Sequence, residues 1–234
     1  MPRKSVRKIP TKGEKKELQS QWLETVTDVE TVDWKGNVII VKEVRAQKNA
    51  SSGTITVRPE ELAKAEVIAT AKKLGIEPRD VPLLLLVLSK PGPFLEGQIP
   101  LKYRLNKTLF YYWKELEKEG LGEALPHDSF IAADRGPMPE HITDDLQRLK
   151  EKSLVNLKYT RWGKGPRDES LTVELTPEGT KLAKELSSAL AESFVQTAKK
   201  IKERIFPLDP STIRNRVHRE YPQYKKNYTE LDTD

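Results

Sequence analysis

The chain has 234 residues with no cysteine and three histidines, which excludes disulfides, thiolate nucleophiles and cysteine-ligated metals. Apolar residues make up 36% of it, and the longest clean apolar run, residues 83–88, is far too short to cross a bilayer. The net charge of +6 is concentrated at one end: residues 1–20 hold seven basic and two acidic side chains, so the remainder is close to neutral. No apolar segment follows the basic start, so no signal peptide is expected and the expected location is cytoplasmic. The charged fraction of 32%, with two Met, matches a thermophilic composition.

Residues 1–20 are too poor in apolar side chains to build a core and read as a flexible basic arm. Arg3, Lys4, Arg7, Lys8, Lys12, Lys15 and Lys16 are its candidate phosphate contacts, since each such contact releases counterions. Residues 21–58 read as a small antiparallel β element. Val26, Val29 and Val32 lead to a Gly36-Asn37 turn signal and a β-branched run over 38–41. After a second turn over 49–53, Ile55 and Val57 alternate onto one face.

Residues 59–206 are expected to form a helical core. Pro59, Glu60 and Glu61 open a helix whose apolar stripe is Leu62, Ala65, Ile68, Ala69 and Leu74, and Gly75 stops it. Pro82 starts a short helix, apolar all round, that is the expected centre of the fold. A helix over 101–119 carries Phe110-Tyr111-Tyr112-Trp113, which reads as core ahead of a base-stacking platform. Residues 129–132 look like a short strand. A helix over 140–153 turns Ile142, Leu146 and Leu149 inward and Asp144, Asp145, Arg148 and Lys152 to water.

Residues 154–159 and 171–175 read as a hairpin, after which Thr176-Pro177-Glu178 caps one long helix from about 177 to 205. Its stripe includes Leu182, Leu186, Leu190, Phe194, Ala198, Ile201 and Ile205, and suits the chain's own core or a homodimer seam. Residues 207–234 are expected to hold a basic C-terminal helix, with Arg214, Arg216 and Arg219, and a tail.

Helix, strand, basic loop, strand, helix is the layout of a winged helix. The expected class is α+β, mainly helical: a winged helix with a β-hairpin wing, preceded by a small antiparallel sheet and a basic arm. The wing carries Lys158, Arg161, Lys164 and Arg167, placed for phosphate or minor-groove contact. The preceding helix carries Glu140, Asp144, Asp145 and Glu151, which argues against base reading in the major groove. The expectation is a regulator or architectural protein, in transcription or a ribonucleoprotein, that binds nucleic acid, DNA ahead of RNA.

From about residue 83 to 224 the sequence also resembles the SocA-like (Panacea) antitoxin-type domain of archaea and bacteria. Its "RLNKTLFYYWKE" (residues 104–115) is similar to that family's "LQKLLYF" helix. "FIAADRGPMPEHITDDLQRL" (130–149) is similar to its aromatic, Gly-Pro and helix segment, with Asp134-Arg135 replacing the usual aromatic stretch. "LTPEGTKLAKEL" and "IRNRVHREYPQYKKN" are similar to its closing wing, long helix and Y-P-x-Y ending. The resemblance implies a helical, winged-helix-like domain that acts as an antitoxin or adaptor by binding a protein. Residues 1–58 lie outside it.

Chemistry-bearing motifs are sparse. Phosphate-cradling glycine loops and a nucleophile elbow are missing, and His127-Asp128-Ser129 sits together without the spatial convergence a triad needs. Asp33, Lys42 and Glu43 on the first hairpin offer only a generic nuclease-like grouping. The expectation is a non-enzyme without cofactor or metal, whose partner is nucleic acid or, through an acidic face around Asp144 and Asp145, a protein.

Overall fold

The computed structural model describes residues 22–32, 38–89, 98–99, 102–122, 124, 130–133, 136–161 and 169–225. The basic arm, the Gly36-Asn37 turn, His127-Asp128-Ser129, the wing tip with Lys164 and Arg167, and the final tail lie outside the described residues.

Strands β1 (Trp22–Val32) and β2 (Val38–Asn49) pair antiparallel, and β3 (Ile55–Val57) adds to β2. This is the small antiparallel element that the alternating residues imply. The register shifts between Thr27 and Val29, where Glu43 takes φ 59° and its N–H donates to the Asp28 carboxylate at 3.1 Å. An extra residue bends the ribbon, and Asp28 takes up the N–H that the ladder leaves out. Val44 and Ala46 are buried where β2 meets α1 (Pro59–Lys73).

The stripe expected on α1 is corrected. Leu62 and Ile68 are each 37% exposed, while Glu61, Ala65, Val67, Ala69 and Ala71 are buried. This helix is covered by β2 on one side and by α5 (Pro177–Ala189) on another, so its buried surface is broader than one stripe. Helix α2 (Asp80–Leu88) begins two residues before Pro82 and is the buried centre that its all-round apolarity implies. Val81, Leu84 and Leu86 are fully inaccessible. Pro82 is tolerated because the first N–H groups of a helix have no intrahelical acceptor.

Helix α3 (Lys102–Lys118) packs on α6 (Glu192–Ile205). The Tyr112 hydroxyl donates to the Phe194 carbonyl at 3.0 Å, and Arg104 donates to the Phe206 carbonyl at 2.7 Å. Phe110, with no exposed surface, meets the rings of Tyr221 and Tyr224 edge-on at 5.0 Å and that of Phe130 at 5.2 Å. The aromatic cluster is therefore core. It also fastens the chain end, α7 (Pro210–Glu220) and the 3-10 turn Pro222–Tyr224, onto α3.

The single long helix expected over 177–205 is two helices. Leu190 and Ala191 are extended, at ψ 158° and 139°, and break it between α5 and α6. The break lets α5 pack on α1 and α2 while α6 turns onto α3. Leu186, Phe194, Ala198, Ile201 and Ile205 have no exposed surface and belong to the chain's own core, while Leu182 and Ala189 are half-buried.

Two further sheets are small. Strands β5 (Phe130–Ile131) and β6 (Met138–Pro139) pair between α3 and α4 (Ile142–Glu151). Strands β7 (Val155–Arg161) and β8 (Glu169–Leu175) form the expected hairpin, and β4 (Gln98–Ile99) adds to β8, giving the order β4-β8-β7. Helix α5 starts hard against this sheet. The Thr176 hydroxyl accepts from Gly179 N–H at 2.9 Å and donates to the Ser153 carbonyl at 2.7 Å. Gly179 is required there, because a Cβ would lie 1.9 Å from the Leu154 oxygen.

Candidate nucleic-acid interface

The hairpin runs from the core into solvent. Its register pairs Val155 with Leu175 at the base and Arg161 with Glu169 at the outer end. Val155 is buried, whereas Tyr159 near the tip is 60% exposed. Alternating Val155, Leu157, Val173 and Leu171 hold the hairpin to the core, and the ring of Tyr159, opposite Leu171, stands out from it. Lys158 is exposed and meets the Glu174 carboxylate at 2.5 Å. A surface pair of this kind contributes about 1 kcal/mol or less, so a phosphate can take its place. Backbone pairing places Arg161 at the tip, next to the undescribed loop that carries Lys164 and Arg167.

Helix α4 lies beside the hairpin. Ile142, Leu146 and Leu149 face inward as expected, and Asp144 and Gln147 face out. Two other residues are corrected. Asp145 is 3% exposed, and Arg148 reaches inward to the fully buried Asp80 on α2 at 2.5 Å and to Asp145 at 2.7 Å. Arg79 closes the cluster against Asp145 at 3.2 Å and Glu77 at 2.9 Å. Lys152 donates to the Gly75 carbonyl at 2.9 Å. Asp145 and Arg148, expected to face water, are thus part of the joint that holds α4 on α2, while Lys152 stays exposed as expected and ties α4 to Gly75, just beyond α1. The acidic face shrinks to Asp144, with Glu140 and Glu151 at the helix ends.

Between α4 and the hairpin lies an open cleft of about 380 Å³. Leu146, Leu157 and Leu171 form its apolar floor, and Thr143, Asp144, Gln147 and Tyr159 form its rim. Hydrogen-bonding groups, one carboxylate and an exposed ring above an apolar base suit a binding surface more than a reaction centre.

On α7, Arg214 and Arg219 are exposed, but Arg216 is engaged. It donates to Glu220 at 2.7 Å and lies 5.8 Å from the centre of the Tyr111 ring. The Glu220 hydrogen bond raises its pKa further above the arginine range. No group of His, Asp and Glu placed to hold a metal occurs among the described residues, and no helix among them is long and apolar enough to cross a membrane.

Sequence reasoning missed Asp80, Lys107 and Lys202. The lysines had a signal: each lies on an apolar helical face, Lys107 three residues before Phe110 and Lys202 four before Phe206. Lys202 is fully buried and its ammonium donates to the Val87 carbonyl at 2.9 Å and to that of Ser89, closing the C-terminal end of α2. Neither protein-family models, nor curated proteins, nor solved structures give a match to this chain.

Proposed function

We propose that this chain is a winged-helix binding module that contacts nucleic acid through its hairpin and N-terminal arm, without a catalytic step. The observation that carries the reading is the element order α2, β4, α3, α4, β7, β8, interrupted between α3 and α4 by the short β5–β6 pair, with β4 beside β8 of the hairpin. In that arrangement the hairpin is the wing and α4 occupies the place of the recognition helix. The wing loop is basic, with Lys164 and Arg167 following Arg161. The outward Asp144 and the inward Arg148 leave Gln147 and Lys150 as the exposed α4 side chains of a kind that reads base edges, which is sparse for sequence-specific recognition. Binding is then dominated by phosphate contacts and tolerates sequence, with DNA ahead of RNA. Arg3 to Lys16 on the arm, and Arg214 and Arg219 on α7, add charge. This suits a transcriptional or architectural role in the cytoplasm.

The cleft itself favours a second reading. Its apolar floor with Asp144 on the rim suits a protein segment, as in the antitoxin or adaptor role that the SocA-like resemblance implies. Amide hydrogen exchange of the full chain with and without a duplex of about two helical turns separates the two. Protection over β7, β8 and the intervening loop supports the wing reading. Unchanged exchange at the hairpin at low salt overturns it and leaves the cleft as the working surface.

A further inference from the structure

The first sheet is covered on one face only. Val44 and Ala46 lie on the face of β2 that meets α1, and both are buried. The opposite face carries Trp22 and Val26 on β1 and, once the register shift between Thr27 and Val29 is counted, Val38 and Ile40 on β2. Exposure of these four runs from 43% at Trp22 to 63% at Val38. Strand β3 pairs only with Ala46 to Lys48, so from Arg45 towards the tip the sheet is two strands wide among the described residues. A two-stranded ribbon with an uncovered apolar face is marginal in water, and such a face suits a partner.

The charges on this face are sorted by strand. Strand β1 brings Glu24, Asp28 and Glu30, whereas β2 brings Arg45 and Lys42, with Glu43 beside Lys42 at the shift. Arg45 stands opposite Val26, level with the gap between Glu24 and Asp28. Glu24 and Asp28 each use one carboxylate oxygen within the chain, on the Gln47 amide and the Glu43 N–H. Glu30, Lys42 and Arg45 are exposed, and none of them makes an ion pair with a described residue.

We propose that this face seats a second copy of the chain, the two ribbons stacked face to face about a twofold axis that runs along the strands. Such an axis lays β1 of each copy over β2 of the other. Arg45 of one copy then comes over Val26 of the other, between Glu24 and Asp28, and Lys42 comes over Asp28, beside Glu30. The same contacts recur on the other side of the axis. An axis across the strands would instead set β1 over β1 and stack acid on acid. The chain's own arm is a poorer cover. Its seven basic side chains suit the β1 row but repel Lys42 and Arg45, and residues 1–20 bring only Met1, Val6, Ile9 and Leu18 to the apolar positions. A second copy answers both rows.

The test is sedimentation velocity and light scattering of the full chain from about 1 to about 200 μM, at several salt concentrations. The expected result is a reversible monomer–dimer equilibrium that weakens as salt is raised. Arg45→Glu places an acid between two acids and is expected to weaken the dimer by about tenfold or more; adding Glu24→Arg is expected to recover part of that loss. Ile40→Thr, which keeps the β-branch and removes apolar surface, is expected to weaken it as well. These side chains are exposed, so the circular dichroism of each variant is expected to match the parent. A monomer throughout overturns the proposal, whether the arm or nothing covers the face. A dimer that Arg45→Glu and Ile40→Thr both leave intact is held by another surface and overturns it too. No changed residue lies on the β7–β8 hairpin, so the outcome is independent of the wing reading.

Discussion

Replacing Arg148 by Met tests whether the charged cluster under α4 holds that helix in place. Met keeps the length and apolar stem of the side chain and removes the charge. Asp80, with no exposed surface, loses its 2.5 Å partner and keeps one hydrogen bond, 2.9 Å from the Glu77 N–H. Asp145 retains Arg79 at 3.2 Å, so most of the loss falls on Asp80. Stranding one buried charge costs about 3–5 kcal/mol, and the retained contacts favour the lower end. At about 2–4 °C per kcal/mol for a chain of this size, Tm is expected to fall by about 6–12 °C. The assay is heat and urea unfolding followed by circular dichroism. The double variant Asp80→Asn with Arg148→Met removes both charges, keeps an acceptor for Glu77, and is expected to recover more than half of the loss. A single variant within about 0.5 kcal/mol of the parent refutes the reasoning. So does a double variant as unstable as the single one.

Gly179→Ala places a Cβ 1.9 Å from the Leu154 oxygen, so α5 must shift from the sheet; a loss of about 3 kcal/mol or more in urea unfolding is expected. Lys202→Met leaves the Val87 and Ser89 carbonyls without their donor, and is expected to cost about 2–3 kcal/mol and to speed amide exchange at the end of α2. Asp209 caps α7, and hydrogen bonds from the Ser211 and Thr212 side chains hold its carboxyl well below the usual carboxylate range. A depressed carboxylate gives stability that is present above its unfolded pKa of about 3.9 and lost as pH falls through its folded value. Asp209→Ala is therefore expected to flatten the acid limb of a stability–pH curve, and an unchanged acid limb would contradict that.

Local patterns carried well from sequence to structure. Period-two alternation placed β1 to β3 and the β7–β8 hairpin, and all-round apolarity placed α2 at the centre. What failed were features set by distant partners. Arg148 and Asp145 look like a wet helix face because Asp80 lies 68 residues from Arg148 along the chain. The break at Leu190-Ala191 has no proline or glycine to announce it. The two halves of the apolar stripe share α2, but α5 adds α1 and α6 adds α3, so they run in different directions. Leu62 and Ile68 fall outside the buried arc because two neighbours, not one, cover α1. At the interface, the exposed position of Lys158 followed from the hairpin pattern. The inward turn of Arg216 onto Tyr111 did not, since ring and cation are 105 positions apart in sequence.

The central claim is tested most directly by fluorescence anisotropy of a labelled duplex and a labelled single-stranded RNA, titrated across several salt concentrations. The probes meet the full chain and a variant with Lys158, Arg161, Lys164 and Arg167 changed to Ala. On the duplex, log affinity is expected to fall with log salt by about 0.9 per phosphate contact, and the variant to bind more weakly with a shallower slope. Binding by the variant that equals the parent in strength and slope, or no binding by either at low salt, contradicts the account.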